Sequence, residues 1–273
     1  MLQILLIFNS ERNGGQVLSD KLKLYEAWKK EEEIAYIKGW DFSHIKDRYV
    51  EEDQLPWDFR SIIKKYSNPN MKLLDMETGG GEFLLSLNHP AEKTAAIEGY
   101  KPNVEYCKEM LLPLGIDFRE ADGAGELSFE NEEFDIITNR HGDYNVQELK
   151  RVLKKGGFFI TQQVGAENDW ELIKLLQPEI TDFSYPNQYV KIREKELVEN
   201  GFEILESGEV FQSIRFYEVG ALVWFARILE WEFPGFSVET HLENLYKAQE
   251  ILEEKGVIEG RIHRFYIVAK KPD

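Results

Sequence analysis

Lys72-Leu73-Leu74-Asp75-Met76-Glu77-Thr78-Gly79-Gly80-Gly81-Glu82-Phe83 reads as a buried strand, a glycine turn and the start of a helix. Lys72 to Met76 is a short apolar run that ends in an acid, and Thr78 to Gly81 suits a tight turn. Glu82 to Leu87 then resumes apolar residues at helical spacing. Glycines let a backbone approach a ligand closely, and the helix that follows presents free N–H groups. A glycine turn of this kind serves several ligands, so its meaning rests on what surrounds it.

Downstream of Lys72 the chain alternates between strand and helix patterns. Strands are expected at Lys72–Met76, Thr94–Glu98, Asp117–Glu120, Phe134–Asn139, Phe158–Val164, Phe202–Val210 and His263–Ala269. Helices are expected at Glu82–Leu87, Asn103–Leu112, Asn145–Leu153, Asp169–Leu176 and Ile192–Asn200, with Gly156-Gly157 and Gly201 as stops before the next strand. Such alternation predicts an α/β fold with a mostly parallel sheet and helices on both faces. Upstream, Asn13-Gly14-Gly15 reads as a breaker, and Ser19-Asp20 as a cap for a helix to about Lys38 that ends at Gly39. A second helix is expected from near Pro56. Residues 1–70 are therefore expected to form an N-terminal helical cap. Residues 71–214 and 257–273 should form the sheet domain, and 215–256 a helical insertion before the last strand.

The 273-residue chain carries a formal charge of −17, which opposes general binding to nucleic acid or to an anionic membrane surface. Met1 to Phe8 is apolar but too short to span a bilayer, and it lacks the basic start and small-residue cleavage site of a signal peptide. Cys107 is the single cysteine, so neither an intrachain disulfide nor a cysteine zinc site is expected, and a reduced, cytoplasmic setting fits. Of the histidines, His44, His89, His241 and His263 show no metal-ligand spacing.

Three further features face the crevice that an open α/β sheet forms at the carboxyl ends of its strands. Glu98 closes the strand after the glycine turn, at the spacing of a ribose-binding acid; Gly99 follows it. Ala121-Asp122-Gly123-Ala124 follows the third strand, where a small turn with an acid suits an adenine amino group. Asn139-Arg140-His141 ends the fourth. Nicotinamide-dinucleotide binding is the competing reading, but the third position of its glycine fingerprint is Leu84.

Taken together, Asp75 to Gly81, Glu98, Asp122, Phe134 to Asn139 and Glu148 to Phe158 make the chain resemble a class I S-adenosylmethionine-dependent methyltransferase. The likeness is good over Lys72–Gln163 and looser over Phe202–Ala269. It implies a three-layer, Rossmann-like, seven-stranded sheet. It also implies S-adenosyl-L-methionine as cofactor, held by Asp75, Glu77, Thr78, Gly79, Gly81, Glu98, Gly99, Asp122, Gly123, Ala124, Asn139 and Arg140. Glu77 departs from the pattern, which has a small residue there. It is expected to turn to solvent or pair with a lysine, to bond the cofactor's ammonium group, or to weaken cofactor binding.

The expected reaction is in-line methyl transfer to a small, partly apolar acceptor, where alignment supplies much of the rate. His141 is the candidate general base. Of Gln162 and Gln163, strand alternation turns one to the pocket and one to the helical layer; Gln163 is taken as the acceptor-facing one. Trp40, Trp224 and Trp231 are taken as acceptor-binding members of a lid. The Trp40-Asp41-Phe42-Ser43 and late Gly-Ala…Trp…Pro-Gly-Phe phrases resemble those of an uncharacterised bacterial subgroup of the family. A monomer or homodimer is expected. The alternatives are a non-catalytic cofactor-binding or scaffold protein of the same fold and, more weakly, an RNA methyltransferase.

Overall fold

The computed structural model describes residues 14–37, 41–52 and 54–273, with side chains from residue 18 onward. The expectations for Met1–Phe8, for Gly39 and for Trp40 fall outside these residues. In chain order the elements are α1 (Gly14–Glu33), β1 (Tyr49–Glu51), α2 (Phe59–Tyr66), β2 (Leu73–Met76), α3 (Glu82–Ser86) and β3 (Thr94–Glu98). Next come α4 (Lys101–Leu111), β4 (Asp117–Glu120), β5 (Phe134–Arg140), α5 (Val146–Val152), β6 (Leu153–Val164) and α6 (Trp170–Leu176). The chain closes with α7 (Val190–Glu199), β7 (Glu203–Phe216), α8 (Val219–Ile228), α9 (Leu242–Lys255) and β8 (Ile258–Lys270).

The eight strands form one sheet in the order β1-β7-β8-β6-β5-β2-β3-β4. β4, β3, β2, β5 and β6 pair in parallel, while β8 runs antiparallel between β6 and β7. Strand alternation separates two cores. Leu74, Ala95, Ile137 and Phe159 face the side covered by α5 and α7. Their neighbours Leu73, Ala96, Ile136 and Ile160 face the side covered by α2, α3 and α4. Both faces are covered, so β2 and β3 are buried along their whole length, which explains why Leu73, Leu74, Met76, Ala95, Ala96 and Ile97 show no polar alternation. Local chemistry sets the helix starts: Asp58 caps α2 through Arg60 N, and Asn145 caps α5 through the N–H groups of Gln147 and Glu148.

Several boundaries differ from those expected. α1 begins at Gly14, so Gly14-Gly15 opens a helix and Ser19-Asp20 lies inside it; the helix ends at Glu33, short of Lys38. The expected all-helical prelude contributes β1, an eighth strand, paired through Tyr49↔Phe216. Gly156-Gly157 does not end a helix. α5 stops at Val152, and the two glycines sit inside β6, where the register against β5 slips between Phe134 and Ile136 and Gly156 has φ 73.

β7 and β8 also run further than expected. They continue past the end of β6, from Phe211↔His263 to Phe216↔Ile258. This projecting hairpin carries a third core in which Ile214, Phe216, Ile258 and Ile262 meet Trp28 of α1, Leu172 of α6, α8 and Leu245 of α9. α8 is apolar all round because all its residues except Arg227 are buried. The helical layer therefore rises over the carboxyl ends of the parallel strands, above the point where strand order reverses between β2 and β5.

Candidate functional site

The glycine turn leaves β2 at Asp75, a fully buried carboxylate that accepts hydrogen bonds from Thr138 Oγ1 at 2.6 Å and Thr78 Oγ1 at 2.7 Å. Thr138 is its register partner on β5. Burial pushes the Asp75 carboxyl up to about 6, against the pull of the two hydroxyls. Gly79 N then donates to Glu98 Oε2 at 2.7 Å, and Tyr100 N donates to Glu98 Oε1 at 2.7 Å. Glu98 thus ties the turn to the end of β3 while bordering a groove of about 350 Å³. Burial raises its carboxyl above the usual range, opposed by the N–H donors. Asp122 borders the same groove and accepts from Ala124 N at 2.9 Å.

Glu77 neither turns to solvent nor meets a lysine. Its backbone is left-handed, with φ 55, and its carboxyl lies across the groove. Oε1 accepts from Gly123 N at 2.6 Å and Oε2 from Gly99 N at 3.4 Å. Burial, with the nearby charges of Glu98 and Asp122, lifts it to about 7. Gly142 must be small here, since a Cβ would stand 2.4 Å from Glu77 Cβ.

The groove opens into a larger cavity of about 930 Å³. Glu77, Gly79, Arg140, His141 and Trp231 border both. Arg140 places its guanidinium 4.9 Å from the centre of the Phe83 ring. His141, half-buried and at φ 60, takes Gln162 Nε2 at 3.1 Å on its Nε2. The other end of that amide is fixed by Trp57 Nε1 donating to Gln162 Oε1 at 2.9 Å. With the amide oriented in this way, His141 Nε2 must accept, so the ring proton belongs on Nδ1. Burial, then the charges of Arg264 and Arg140, hold the imidazole well below its ordinary range and therefore neutral.

The other expected site residues divide. Gln163 lines the large cavity and donates to Gly142 O at 3.0 Å, while Gln162 turns to Trp57. Trp231, 43% exposed, lines the cavity wall. Asn139 lines neither space: it is fully buried, donates to Met76 O, and accepts from Thr161 and Gln163, locking the ends of β2, β5 and β6 together. Gly81 starts α3 against Leu111, and Ala124 is exposed beside the groove. Trp224 does not line the cavity. It is 1% exposed and packs against Phe42 and His44, because α8 buries its whole circumference.

Sequence reading missed a polar cluster in the cavity wall formed by Glu51, Asn168, Asp169, Glu232 and Arg264. These residues come from β1, the loop before α6, the turn after α8, and β8, so no spacing along the chain announces them. Among the described residues no group of His, Cys, Asp and Glu side chains could hold a metal ion, and no helix is long and apolar enough to cross a membrane.

The groove suits an adenosyl group on three counts. A buried carboxylate sits at the end of β3, side chains are absent at Gly79 and Gly99, and N–H groups at Gly99 and Gly123 already hold a carboxyl acceptor that can be exchanged. Comparison with known proteins agrees. A family model described as a methyltransferase domain matches residues 74–161. A ubiquinone biosynthesis O-methyltransferase from Pelagibacter ubique is 27% identical over 199 residues, 61% of this chain and 80% of that protein. A crystal structure assigned as a methyltransferase from Bacillus halodurans shares the fold with a TM-score of 0.54 at 20% identity, over 79% of this chain and 99% of that one. The YcgJ protein from Bacillus subtilis matches with a TM-score of 0.52 at 17% identity, over 79% and 98% of the two chains.

Proposed function

Since the chain belongs to the class I S-adenosylmethionine-dependent methyltransferases, we propose that it methylates a small, partly apolar acceptor held in the larger cavity. The observation that carries this reading is the continuity of the two spaces: the glycine turn and Trp231 border both the 350 Å³ groove and the 930 Å³ cavity. S-adenosylmethionine is the cofactor, and when bound it supplies an activated methyl group. In this reading Glu98 takes the ribose hydroxyls, Asp122 and Gly123 the adenine, and Thr78 to Gly81, with Asp75 behind them, the amino-acid end. The cap over the strand ends keeps water from the transfer and aligns the acceptor. The formal charge of −17 supports a small molecule over a nucleic acid. The single, buried Cys107 supports a reduced cytoplasmic setting. Calorimetry with S-adenosylhomocysteine tests the reading: saturable heat is expected, and no heat at millimolar concentration would sink it.

Glu77 has to give up its two N–H partners for an adenosyl group to use them. Glycine at this position would empty the groove and relax the left-handed backbone, a strain of about 1 kcal/mol. Glu77→Gly is therefore expected to tighten S-adenosylhomocysteine binding about tenfold, or about 1.4 kcal/mol. A pH effect accompanies it. A carboxyl lifted to about 7 in the fold binds its proton more tightly than in the unfolded chain, so stability falls as pH rises from the ordinary glutamate range toward 7. The melting temperature of the unligated protein should fall over that window, and less steeply in Glu77→Gly. Weaker cofactor binding by the glycine variant would instead make Glu77 a cofactor ligand.

In the same reading His141 orients the acceptor through its Nδ1–H and is not the general base expected from sequence, because its Nε2 lone pair is taken by Gln162. His141→Ala is expected to lower turnover by roughly a hundredfold while changing S-adenosylhomocysteine affinity less than about threefold, as the loss of a group that aligns the acceptor would. Unchanged turnover in steady-state assays would remove His141 from the reaction.

A further inference from the structure

The cavity wall opposite the glycine turn holds two carboxyl groups that the cofactor does not use. Asp169 is 1% exposed and Glu232 8% exposed. Asp169 occupies the residue before α6, where an aspartate ordinarily accepts from the first helical N–H groups, yet its side chain makes no such bond. Its backbone is left-handed, at φ 54, which turns the carboxyl away from the helix. Oδ2 accepts from Asn168 Nδ2 at 2.8 Å, and Oδ1 meets no N–H or O–H of the chain. Glu232 accepts from the same Asn168 Nδ2 at 3.0 Å and faces Asp169 carboxyl to carboxyl. Burial pushes both carboxyls up; the charge of Glu232 raises Asp169 further, while the hydrogen bonds of Asp169 and Asn168 pull Glu232 back.

The local charge does not cancel. Glu51, Asp169 and Glu232 face one guanidinium, Arg264, which pairs with Glu51 at 3.1 Å and donates to Asn168 Oδ1. Three carboxyl groups around one guanidinium leave this wall short of cationic partners. The whole cavity repeats this bias, with eight carboxyl groups in its lining against the guanidinium groups of Arg140 and Arg264. Phe225, Trp231 and Tyr185 supply aromatic faces in the same wall. An uncompensated carboxylate beside aromatic rings is the surrounding that a monocationic ammonium group satisfies, by a charged hydrogen bond and by cation–π attraction.

We propose that Asp169 and Glu232 form the acceptor subsite and that the acceptor is a small aromatic or alkyl amine drawn in as a monocation, with the Asp169–Glu232 pair receiving its N–H; the ammonium proton passes to that pair before the freed nitrogen lone pair takes the methyl group and S-adenosylhomocysteine leaves. The proposal rests on the methyltransferase reading above and adds the substrate class. It is tested by calorimetry on the full chain saturated with S-adenosylhomocysteine, using three probes of one shape: 2-phenylethylammonium, neutral 2-phenylethanol and anionic 3-phenylpropionate. The amine is expected to bind at least about tenfold more tightly than either of the others. Asp169→Asn and Glu232→Gln should each weaken the amine about tenfold or more while leaving S-adenosylhomocysteine affinity and melting temperature near those of the parent. Equal or tighter binding of the alcohol or the carboxylate would overturn the proposal, as would parental amine affinity in both variants or no amine binding at about 10 mM. Absence of S-adenosylhomocysteine binding in the parent would instead be a failure of the methyltransferase reading. If Asp169→Asn fails to fold, Glu232→Gln and the probe series decide.

Discussion

Replacing Glu98 by glutamine should weaken S-adenosylhomocysteine binding on the order of a hundredfold, since hydrogen bonds to a charged group are each worth about 1.5–3 kcal/mol. The side chain is 3% exposed and accepts from Gly79 N and Tyr100 N, both at 2.7 Å. Glutamine keeps the shape but has one acceptor oxygen, so one of those N–H groups would face an NH₂ and the turn would lose its anchor. The nucleoside would lose its carboxylate partner at the same time. Calorimetry on a variant with a parental circular dichroism spectrum checks this. Affinity within a few-fold of the parent would mean that Glu98 serves the turn alone.

Trp224→Ala is the second large effect, and it falls on stability. Trp224 is 1% exposed, stands edge-on to Phe42 with ring centroids 6.1 Å apart, and lies 5.3 Å from the His44 ring. Removing a buried aromatic side chain costs about 3–5 kcal/mol through lost contacts and the cavity left behind. For a chain of this size that is a fall of roughly 10 °C in melting temperature. The cofactor groove is built from other residues, so S-adenosylhomocysteine affinity measured well below the transition should be unchanged. A variant with parental melting temperature and weakened acceptor binding would restore the ligand role that tryptophan-rich sequence suggests. Trp231, on the cavity wall, is the residue that fits that role.

The contrast between these residues shows what can be read along a chain. Glu98 is legible because a strand, a glycine turn and an acid at the end of the next strand are fixed by local spacing, and the parallel sheet brings them together without long-range information. Trp224 and Trp231 look alike in sequence. Only the packing of α8 between α1, α9 and the β7–β8 hairpin decides that one is core and the other wall. β1 was not legible: three residues with an exposed centre carry little strand signal, and they become a strand by pairing with Phe216, Arg215 and Ile214 far along the chain. Gly156-Gly157 misled for a local reason, since a glycine pair marks a bulge as readily as a helix stop. The Asp169–Glu232 pair was invisible because its members are 63 residues apart (232 − 169) and meet only over the projecting hairpin.

That hairpin also separates two kinds of change. Residues proposed to grip the cofactor lie between Asp75 and Arg140, at or just beyond the carboxyl ends of the parallel strands β2, β3, β4 and β5. The acceptor wall draws instead on Ile262 of the overhang of β7 and β8, beyond the last pairing with β6, and on Phe225, Trp231 and Glu232 in and after α8, which packs on that overhang. Insertions, swaps or charge reversals above that overhang can reshape what is methylated while the register of the central strands stays as it is. The chain is in this sense two instruments on one frame, and the acceptor end is the one free to drift.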